Sequence, residues 1–245
     1  MTLPLANKTA LITGGGTGIG QGIAWALAGA GCRVAVAGRR EDKLLETARG
    51  FKGQPEILHK TVDVADRASV DGLFAWATET MGKVDILVNN AGINIAKRKM
   101  ADLSVEDWEK LLSVNASGVY YCIRAVLPQM RQRKDGLIIN ISSVAGKRAS
   151  MLGGVAYSAS KFAATGLGMT LALEEAENGI RISNVYPGEV ATPILEQRPV
   201  PVSAEHRARI LQPEDLGAAV LMIACLPPRA HIAEMIIKPT SQAYA

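Results

Sequence analysis

Short apolar runs alternate with amphipathic or alanine-rich segments along almost the whole chain. An apolar run of four to eight residues predicts a buried strand, and a longer segment with helical spacing predicts a helix. We predict strands at residues 8–13, 32–38, 56–62, 84–88, 137–141, 181–186 and 234–237. We predict helices at residues 42–49, 67–81, 104–133, 157–178 and 214–225, and a further helix that ends at residue 30. Strands that are apolar throughout and separated by helices indicate a parallel sheet covered on both faces. The pattern therefore predicts the α/β class, with a doubly wound, mainly parallel sheet of about seven strands.

Local signals add detail to two segments. The helix predicted at residues 104–133 begins with Ser104 and Asp107, which resemble a capping box, and we expect Pro128 to disturb its last turns. Prolines are densest in residues 193–213. We predict that the segment 192–213 forms a lid over a site. With no linker, repeat or low-complexity tract, residues 1–245 are predicted to form one domain.

Composition narrows the function classes. The 245 residues carry a net charge of +4, with 48% hydrophobic and only 4% aromatic residues, so nucleic-acid binding is not expected. The three cysteines and three histidines are dispersed, which gives no support for a zinc site or a disulfide framework. No basic-then-apolar leader and no run of about 20 apolar residues is present, so we expect a cytoplasmic protein without a membrane partner.

A glycine-rich loop follows the first predicted strand, with the spacing Gly14-x-x-x-Gly18-x-Gly20, and Thr17 and Ile19 lie within it. Glycines let the backbone approach a pyrophosphate, and the N-terminus of the following helix stabilises its charge. An ordinary glycine-rich turn is the alternative, since the spacing differs from GxGxxG. Its place after the first strand favours a dinucleotide site in a Rossmann fold.

The end of the second strand bears on which dinucleotide binds. An acidic residue there would accept hydrogen bonds from the ribose of NAD, whereas the sequence has Gly38-Arg39-Arg40. Guanidinium groups bind phosphate in a bidentate manner, so the pair favours NADP. Alternatively, Arg39 and Arg40 simply begin the next helix in solvent. Because Glu41 and Asp42 follow, NAD stays open as the alternative cofactor.

Tyr157 and Lys161 are four residues apart on a predicted helix and so share a face. A nearby ammonium favours the phenolate and lowers the pKa of a tyrosine, which would make Tyr157 a general acid or base. The alternative is a half-buried ring beside a solvated charge.

The motifs Thr13-Gly14-x-x-x-Gly18-x-Gly20, Asn89-Asn90-Ala91-Gly92 and Tyr157-x-x-x-Lys161, taken together, resemble the short-chain dehydrogenase/reductase family. The resemblance covers almost the whole chain and includes Asn115, the pair Ser142-Ser143 and the turn Pro187-Gly188. It implies a single-domain Rossmann oxidoreductase, commonly a homotetramer or homodimer, that acts on a small-molecule carbonyl or secondary alcohol.

The resemblance also implies roles for four catalytic residues. Tyr157 would be the proton donor in carbonyl reduction, and Lys161 would lower its pKa and hold the nicotinamide ribose. Ser143, rather than Ser142, would hydrogen-bond the substrate oxygen. Asn115 would help to hold a water that passes protons between Lys161 and solvent.

Further cofactor contacts follow from the same resemblance. Asp63 would receive the adenine amino group, and Asn89 and Gly92 would line the adenine ribose side. The nicotinamide end would be covered by Pro187, Gly188, Val190 and Thr192. For each of these residues the alternative is a turn-forming role in a loop.

The substrate is less defined. The segments after Ser143 and Thr192 carry five cations, at Lys147, Arg148, Arg198, Arg207 and Arg209. We expect at least one to meet an anionic substrate such as a small hydroxy or keto acid; solvent or subunit contacts are the alternative. The ending at residues 226–240 resembles NADP-dependent reductases of serine and 3-hydroxy acids. A 3-oxoacyl-thioester reductase and a non-catalytic NADP-sensing protein remain as alternative functions.

Overall fold

The structure is a computed structural model that describes residues 3–242. The strands are β1 (Thr9–Thr13), β2 (Arg33–Gly38), β3 (Leu58–Thr61), β4 (Ile86–Asn89), β5 (Gly136–Ile141), β6 (Ile180–Pro187) and β7 (Glu234–Ile237). The helices are α1 (Gly18–Gly29), α2 (Glu41–Gly50), α3 (Arg67–Met81), α4 (Val105–Leu112), α5 (Gly118–Arg133), α6 (Val155–Glu174), α7 (Ala204–Arg209) and α8 (Pro213–Ala224).

The strands form one seven-stranded sheet in the order β3-β2-β1-β4-β5-β6-β7, and every neighbouring pair is parallel. The strand order reverses direction between β1 and β4, which leaves a crevice at the carboxyl ends of these two strands. This topology confirms the predicted doubly wound Rossmann fold.

Two hydrophobic cores cover the two faces of the sheet. One contains buried residues of α3, α5 and α6, such as Phe74, Ile123 and Leu171. The other contains residues of α1 and α8, such as Leu27 and Val220. Because successive strand residues point to opposite faces, β1 supplies Leu11 to the first core and Ile12 to the second. Both faces of each central strand must therefore be apolar, as the sequence pattern indicated.

The helical region predicted at residues 104–133 is interrupted once. Ser104 caps α4 by accepting from the Asp107 amide at 3.1 Å, and residues Ser113–Ser117 form a π-helical turn before α5. The expected disturbance by Pro128 is wrong, because α5 continues to Arg133. The apolar side chains of α5 that pack in the core hold the helix despite the missing amide.

The predicted lid segment 192–213 holds a 3₁₀ turn (Pro193–Gln197) and the short helix α7. Its end returns to the body of the fold, where Leu211 pairs with Val190 as an isolated parallel bridge. Within the described residues, no helix is both long enough and apolar enough to span a bilayer.

Candidate active site

A cavity of about 190 Å³ lies at the carboxyl ends of the central strands, beneath the segment 192–213. Several residues predicted from sequence line it: Ile19, Gly92, Ser143, Tyr157, Lys161, Pro187, Gly188, Val190 and Thr192. The remaining predicted residues lie outside this lining, at the glycine loop, at the ends of β2 and β3, inside the sheet or, for Asn115, in the π-helical turn before α5.

Tyr157 and Lys161 lie on the first turns of α6 and face the cavity. The Lys161 ammonium is buried, with 5% of the residue exposed, and its Nζ donates to the Ile141 carbonyl oxygen at 3.0 Å. The Nζ lies 5.7 Å from the centroid of the Tyr157 ring. Helical spacing has thus placed a cation beside a phenol, at the end of β5.

The electrostatics of this pair differ from the expectation. Burial raises the pKa of Tyr157, while a hydrogen bond with Ser143 and the charge of Arg98 act to lower it. Burial also lowers the pKa of Lys161, to about 8. Desolvation of the phenol outweighs the charges around it, so the pKa of Tyr157 lies above its ordinary value in this structure. The role of Lys161 toward Tyr157 stays a prediction.

The two serines after β5 have different surroundings. Ser142 is buried, and its Oγ lies 3.3 Å from the Lys161 carbonyl oxygen and 3.1 Å from Thr165 Oγ1. Ser143 is half-buried, accepts from the Ala145 amide at 3.1 Å and hydrogen-bonds Tyr157. Ser142 therefore fastens β5 to α6, whereas the Ser143 hydroxyl lies next to the phenol.

Asn115 lies fully buried in the π-helical turn. Its Oδ1 accepts from the Ile93 amide at 2.9 Å, and its Nδ2 donates to the Ile93 carbonyl oxygen and to Ser160 Oγ, each at 3.0 Å. A side chain at Gly92 would begin 3.4 Å from Lys161 Nζ and 3.5 Å from Asn115 Oδ1. The glycine thus leaves a polar space shared by the lysine and the asparagine.

The glycine loop is held tightly against the sheet. Gly14 and Gly18 have positive φ angles of 64° and 56°, and a Cβ on Gly20 would lie only 2.4 Å from the Gly14 carbonyl oxygen. Thr17 precedes α1 without a side-chain cap, which leaves the first amides of that helix available to a ligand. A close, bare backbone at a helix N-terminus fits the pyrophosphate of a dinucleotide.

Three of the residues predicted for the adenosine half, Arg39, Arg40 and Asp63, lie just after β2 and β3. Arg39 and Arg40 are exposed, and the structure gives neither guanidinium an ion-pair or hydrogen-bond partner within residues 3–242. Asp63 is half-buried, and its Oδ1 accepts from the Ala65 amide at 3.0 Å. Both arginines are thus free to meet an anion.

Asn89, predicted to line the adenine ribose side, is the last residue of β4. Its side chain is buried in the sheet, where Nδ2 donates to Asn140 Oδ1 at 2.9 Å, and Asn140 in turn donates to Asn184 Oδ1 at 3.1 Å. These three asparagines are neighbours in register across β4, β5 and β6. The Asn89 side chain therefore does not line this cavity, and its predicted contact with the adenine ribose stays a prediction. The next residue does: Asn90 lines the cavity and its Nδ2 donates to the Thr13 and Gly14 carbonyl oxygens, each at 3.0 Å.

Sequence reasoning also missed cavity residues in segments without periodicity. Arg98 and Asn94 reach the cavity from the loop after β4, Glu189 from the turn after β6, and Gln242 from the C-terminal segment. Asn94 Nδ2 donates to the Gly153 carbonyl oxygen at 3.2 Å. Only the folded chain brings these segments together.

Of the five cations predicted near the substrate, Arg198 lines the cavity, where its Nη2 lies 3.1 Å from Glu189 Oε2. Lys147 instead forms an ion pair with Glu234 at 2.7 Å. The other three (Arg148, Arg207 and Arg209) are not among the lining residues.

Known proteins share this sequence and fold. A family model described as short chain dehydrogenase matches residues 8–200. An uncharacterized oxidoreductase of Staphylococcus aureus (strain MRSA252) is 33% identical over 235 residues, covering 96% of this chain and 98% of its own length.

Two solved structures show how closely the fold agrees. An alcohol dehydrogenase from the archaeon Thermococcus sibiricus, complexed with 5-hydroxy-NADP, is 28% identical with a TM-score of 0.87 and covers 97% of this chain and 99% of its own. The closed form of a serine dehydrogenase complexed with NADP+ is 31% identical with a TM-score of 0.86 and covers 97% of each chain.

The parallel sheet, the glycine loop and the tyrosine–lysine pair agree with these matches. The chain belongs to the short-chain dehydrogenase family and is an NAD(P)-dependent oxidoreductase.

Proposed function

We propose that the protein is an NADP-dependent reductase or dehydrogenase that interconverts a carbonyl and a secondary alcohol in a small hydroxy or keto acid. The observation that carries the substrate class is the charge of the cavity. Its lining includes the cations Arg98, Lys161 and Arg198 and a single acidic residue, Glu189, among the described residues. A cationic, partly desolvated cleft attracts an anionic substrate more strongly than a neutral one.

The residues of the cavity can perform the protein's part of the reaction. A bound nicotinamide cofactor would supply or accept the hydride at the substrate carbon. In reduction, Ser143 and Tyr157 would donate hydrogen bonds to the carbonyl oxygen, and the Tyr157 proton would pass to that oxygen as the C=O π bond breaks. Because its pKa is raised, Tyr157 holds this proton throughout the neutral range.

The surroundings of Lys161 bear on how Tyr157 regains the proton that it gives to the substrate. The ammonium lies beside the phenol and borders the polar space at Gly92, which Asn115 also adjoins. A water in that space would connect Lys161 to solvent. We therefore propose that Asn115 fixes the geometry of this path, through its bonds to Ile93 and Ser160.

A substrate panel tests the proposed class. Hydroxy acids, neutral alcohols, aldehydes, sugars and 3-oxoacyl thioesters would be assayed by absorbance at the nicotinamide band with each cofactor. We expect the highest kcat/KM for a small acid with NADP(H). A clear preference for an oxoacyl thioester would favour the alternative reductase, and tight NADPH binding without any turnover would favour a cofactor sensor.

We also propose that Arg39 and Arg40 bind the 2′-phosphate of NADP. Both lie directly after β2, beside the glycine loop, where Gly15 donates to the Ala37 carbonyl oxygen at 3.2 Å. Replacing both arginines with glutamine should weaken NADPH binding roughly 10- to 100-fold and leave NADH binding within about twofold, since each charged hydrogen bond is worth about 1.5–3 kcal/mol before screening. Isothermal titration with both cofactors measures this.

The matched control is Arg49→Gln, which removes an exposed arginine at the other end of α2. We expect it to change neither affinity by more than about twofold. Equal weakening of NADPH and NADH binding in the double variant would show that the arginines do not recognise the 2′-phosphate.

We propose a homo-oligomer as well. Exposed apolar side chains lie on α6 and on the edge formed by α8 and β7, including Phe162, Met169, Leu173, Met222 and Ile236. Apolar patches of this kind are typical of subunit contacts.

A further inference from the structure

We propose that Arg98 binds the carboxylate of the substrate and thereby determines the preference for hydroxy or keto acids over neutral carbonyl compounds. This inference rests on the proposed function and assigns its substrate specificity to one residue. Sequence analysis did not single out Arg98, because it lies inside the short charged run of residues 97–99.

Arg98 is fixed close to the reacting centre. It lies in the loop between β4 and α4 and lines the cavity. Its carbonyl oxygen accepts from the Val155 amide at 3.3 Å, and a Cβ on Gly154 would lie 2.6 Å from the Arg98 Cβ. The residue therefore packs against the first turn of α6, the turn that carries Tyr157. Its positive charge is close enough to influence the Tyr157 phenol.

The guanidinium of Arg98 is oriented but not neutralised. Nε donates to the Ile95 carbonyl oxygen at 2.6 Å, Nη2 to the Gln197 carbonyl oxygen at 2.9 Å, and Nη1 to the Leu152 carbonyl oxygen. All three acceptors are neutral backbone groups, and no carboxylate among residues 3–242 forms an ion pair with Arg98 within 4.0 Å. Since a guanidinium has five N–H groups, two stay available to a ligand.

Apart from Lys161, which belongs to the proposed proton path, the other cations named at or near the cavity form ion pairs with acids inside the protein. Arg198, with 14% of its side chain exposed, pairs with Glu189, and Lys147 pairs with Glu234. A carboxylate that approached Arg198 would also meet the Glu189 charge. Arg98 is thus the lining arginine whose charge an anionic substrate can balance without displacing an internal acid.

The three backbone bonds also hold the guanidinium in one orientation. They tie together the loop after β4, the segment before α6 and the 3₁₀ turn of the lid segment. A preorganised donor costs little entropy on binding, so its contribution to affinity is larger than that of a mobile surface lysine.

The test compares acids with their own methyl esters. Initial rates would be measured with NADP+ for 2-hydroxypropanoate, 3-hydroxybutanoate and the two methyl esters, using wild type, Arg98→Gln, Arg98→Lys and Lys97→Gln. For the preferred acid we expect Arg98→Gln to lower kcat/KM about 10- to 100-fold, mainly through a higher KM. The ester should change by less than about threefold. Lys97→Gln, which removes an exposed charge one residue away, should leave both rates within about twofold.

Two results would overturn the inference while leaving an oxidoreductase: an equal loss on acid and ester in Arg98→Gln, which indicates a scaffold role, or a wild-type preference for the esters. No turnover of any compound by wild type would instead contradict the proposed function. If Arg98→Gln fails to fold, Arg98→Lys decides the question, because it keeps the charge and loses the planar fork. It should then show a smaller loss on the acid and none on the ester.

Discussion

Tyr157→Phe should lower kcat for carbonyl reduction by about 10² to 10⁴-fold, with KM and NADPH affinity nearly unchanged. The substitution removes the hydroxyl that donates the proton, and general acid catalysis contributes this range. The ring, which is half-buried against the cavity, stays in place. Because the interaction is made in the transition state, kcat and kcat/KM should fall together. Initial rates of NADPH oxidation over a range of substrate concentrations give both quantities.

Tyr120→Phe is the matched control for this loss. Tyr120 lies on α5 and is 48% exposed, with its ring tilted against that of Tyr121 at a centroid distance of 5.7 Å. Removing its hydroxyl should change kcat by less than about twofold. If Tyr157→Phe kept more than a tenth of the wild-type kcat, another group would have to donate the proton, and Ser143 would be the first candidate.

The sheet could be predicted from sequence because its signal is local and repeated. Each central strand is mostly apolar, and both faces of the sheet demand that pattern, as the assignment of Leu11 and Ile12 to opposite cores shows. The glycine loop and the pair Tyr157 and Lys161 were also visible, since their chemistry depends on short spacings. The helix α3 and the strand β7 have the predicted bounds.

What sequence reasoning missed depends on contacts between distant segments. The π-helical turn is stabilised where the Asn115 side chain binds the backbone of Ile93, 22 positions earlier, and no periodicity reports such a bond. For the pair Asn89-Asn90, one residue of strand length decides which side chain reaches the cavity. Since β4 extends to Asn89, that side chain faces the sheet and Asn90 reaches the cavity.

Charge at the site was the least predictable feature. Arg98 sits between two exposed lysines, and no local sequence pattern distinguishes it from them. The role proposed for Arg98 depends on the contact between the loop after β4 and the start of α6, which only the folded chain forms. The pKa of Tyr157 depends in the same way on the folded site, because burial of the phenol and the charges around it are tertiary properties.

The pH dependence of kcat/KM for NADPH should report the ionisation of Lys161. Burial lowers the pKa of Lys161 to about 8, so the side chain carries its charge below that pH and loses it as the pH rises through this value. We propose that the charged form is the one that holds the cofactor ribose. We therefore expect kcat/KM for NADPH, which reports ionisations of the unliganded enzyme, to be constant near neutral pH and to fall above about pH 8. Tyr157 keeps its proton there because its own pKa is raised.

Lys161→Met should lower this kcat/KM by about 10² to 10³-fold at pH 7 and abolish the fall near pH 8. The fold should survive, because the change removes a buried ammonium and loses one hydrogen bond, to the Ile141 carbonyl oxygen. Thermal unfolding at pH 6 should therefore occur at no lower temperature than in wild type. Lys110→Met, an exposed replacement on α4, should leave the rate and its pH profile unchanged. A fall near pH 8 that persisted in Lys161→Met would assign that ionisation to another group and remove Lys161 from the proton path.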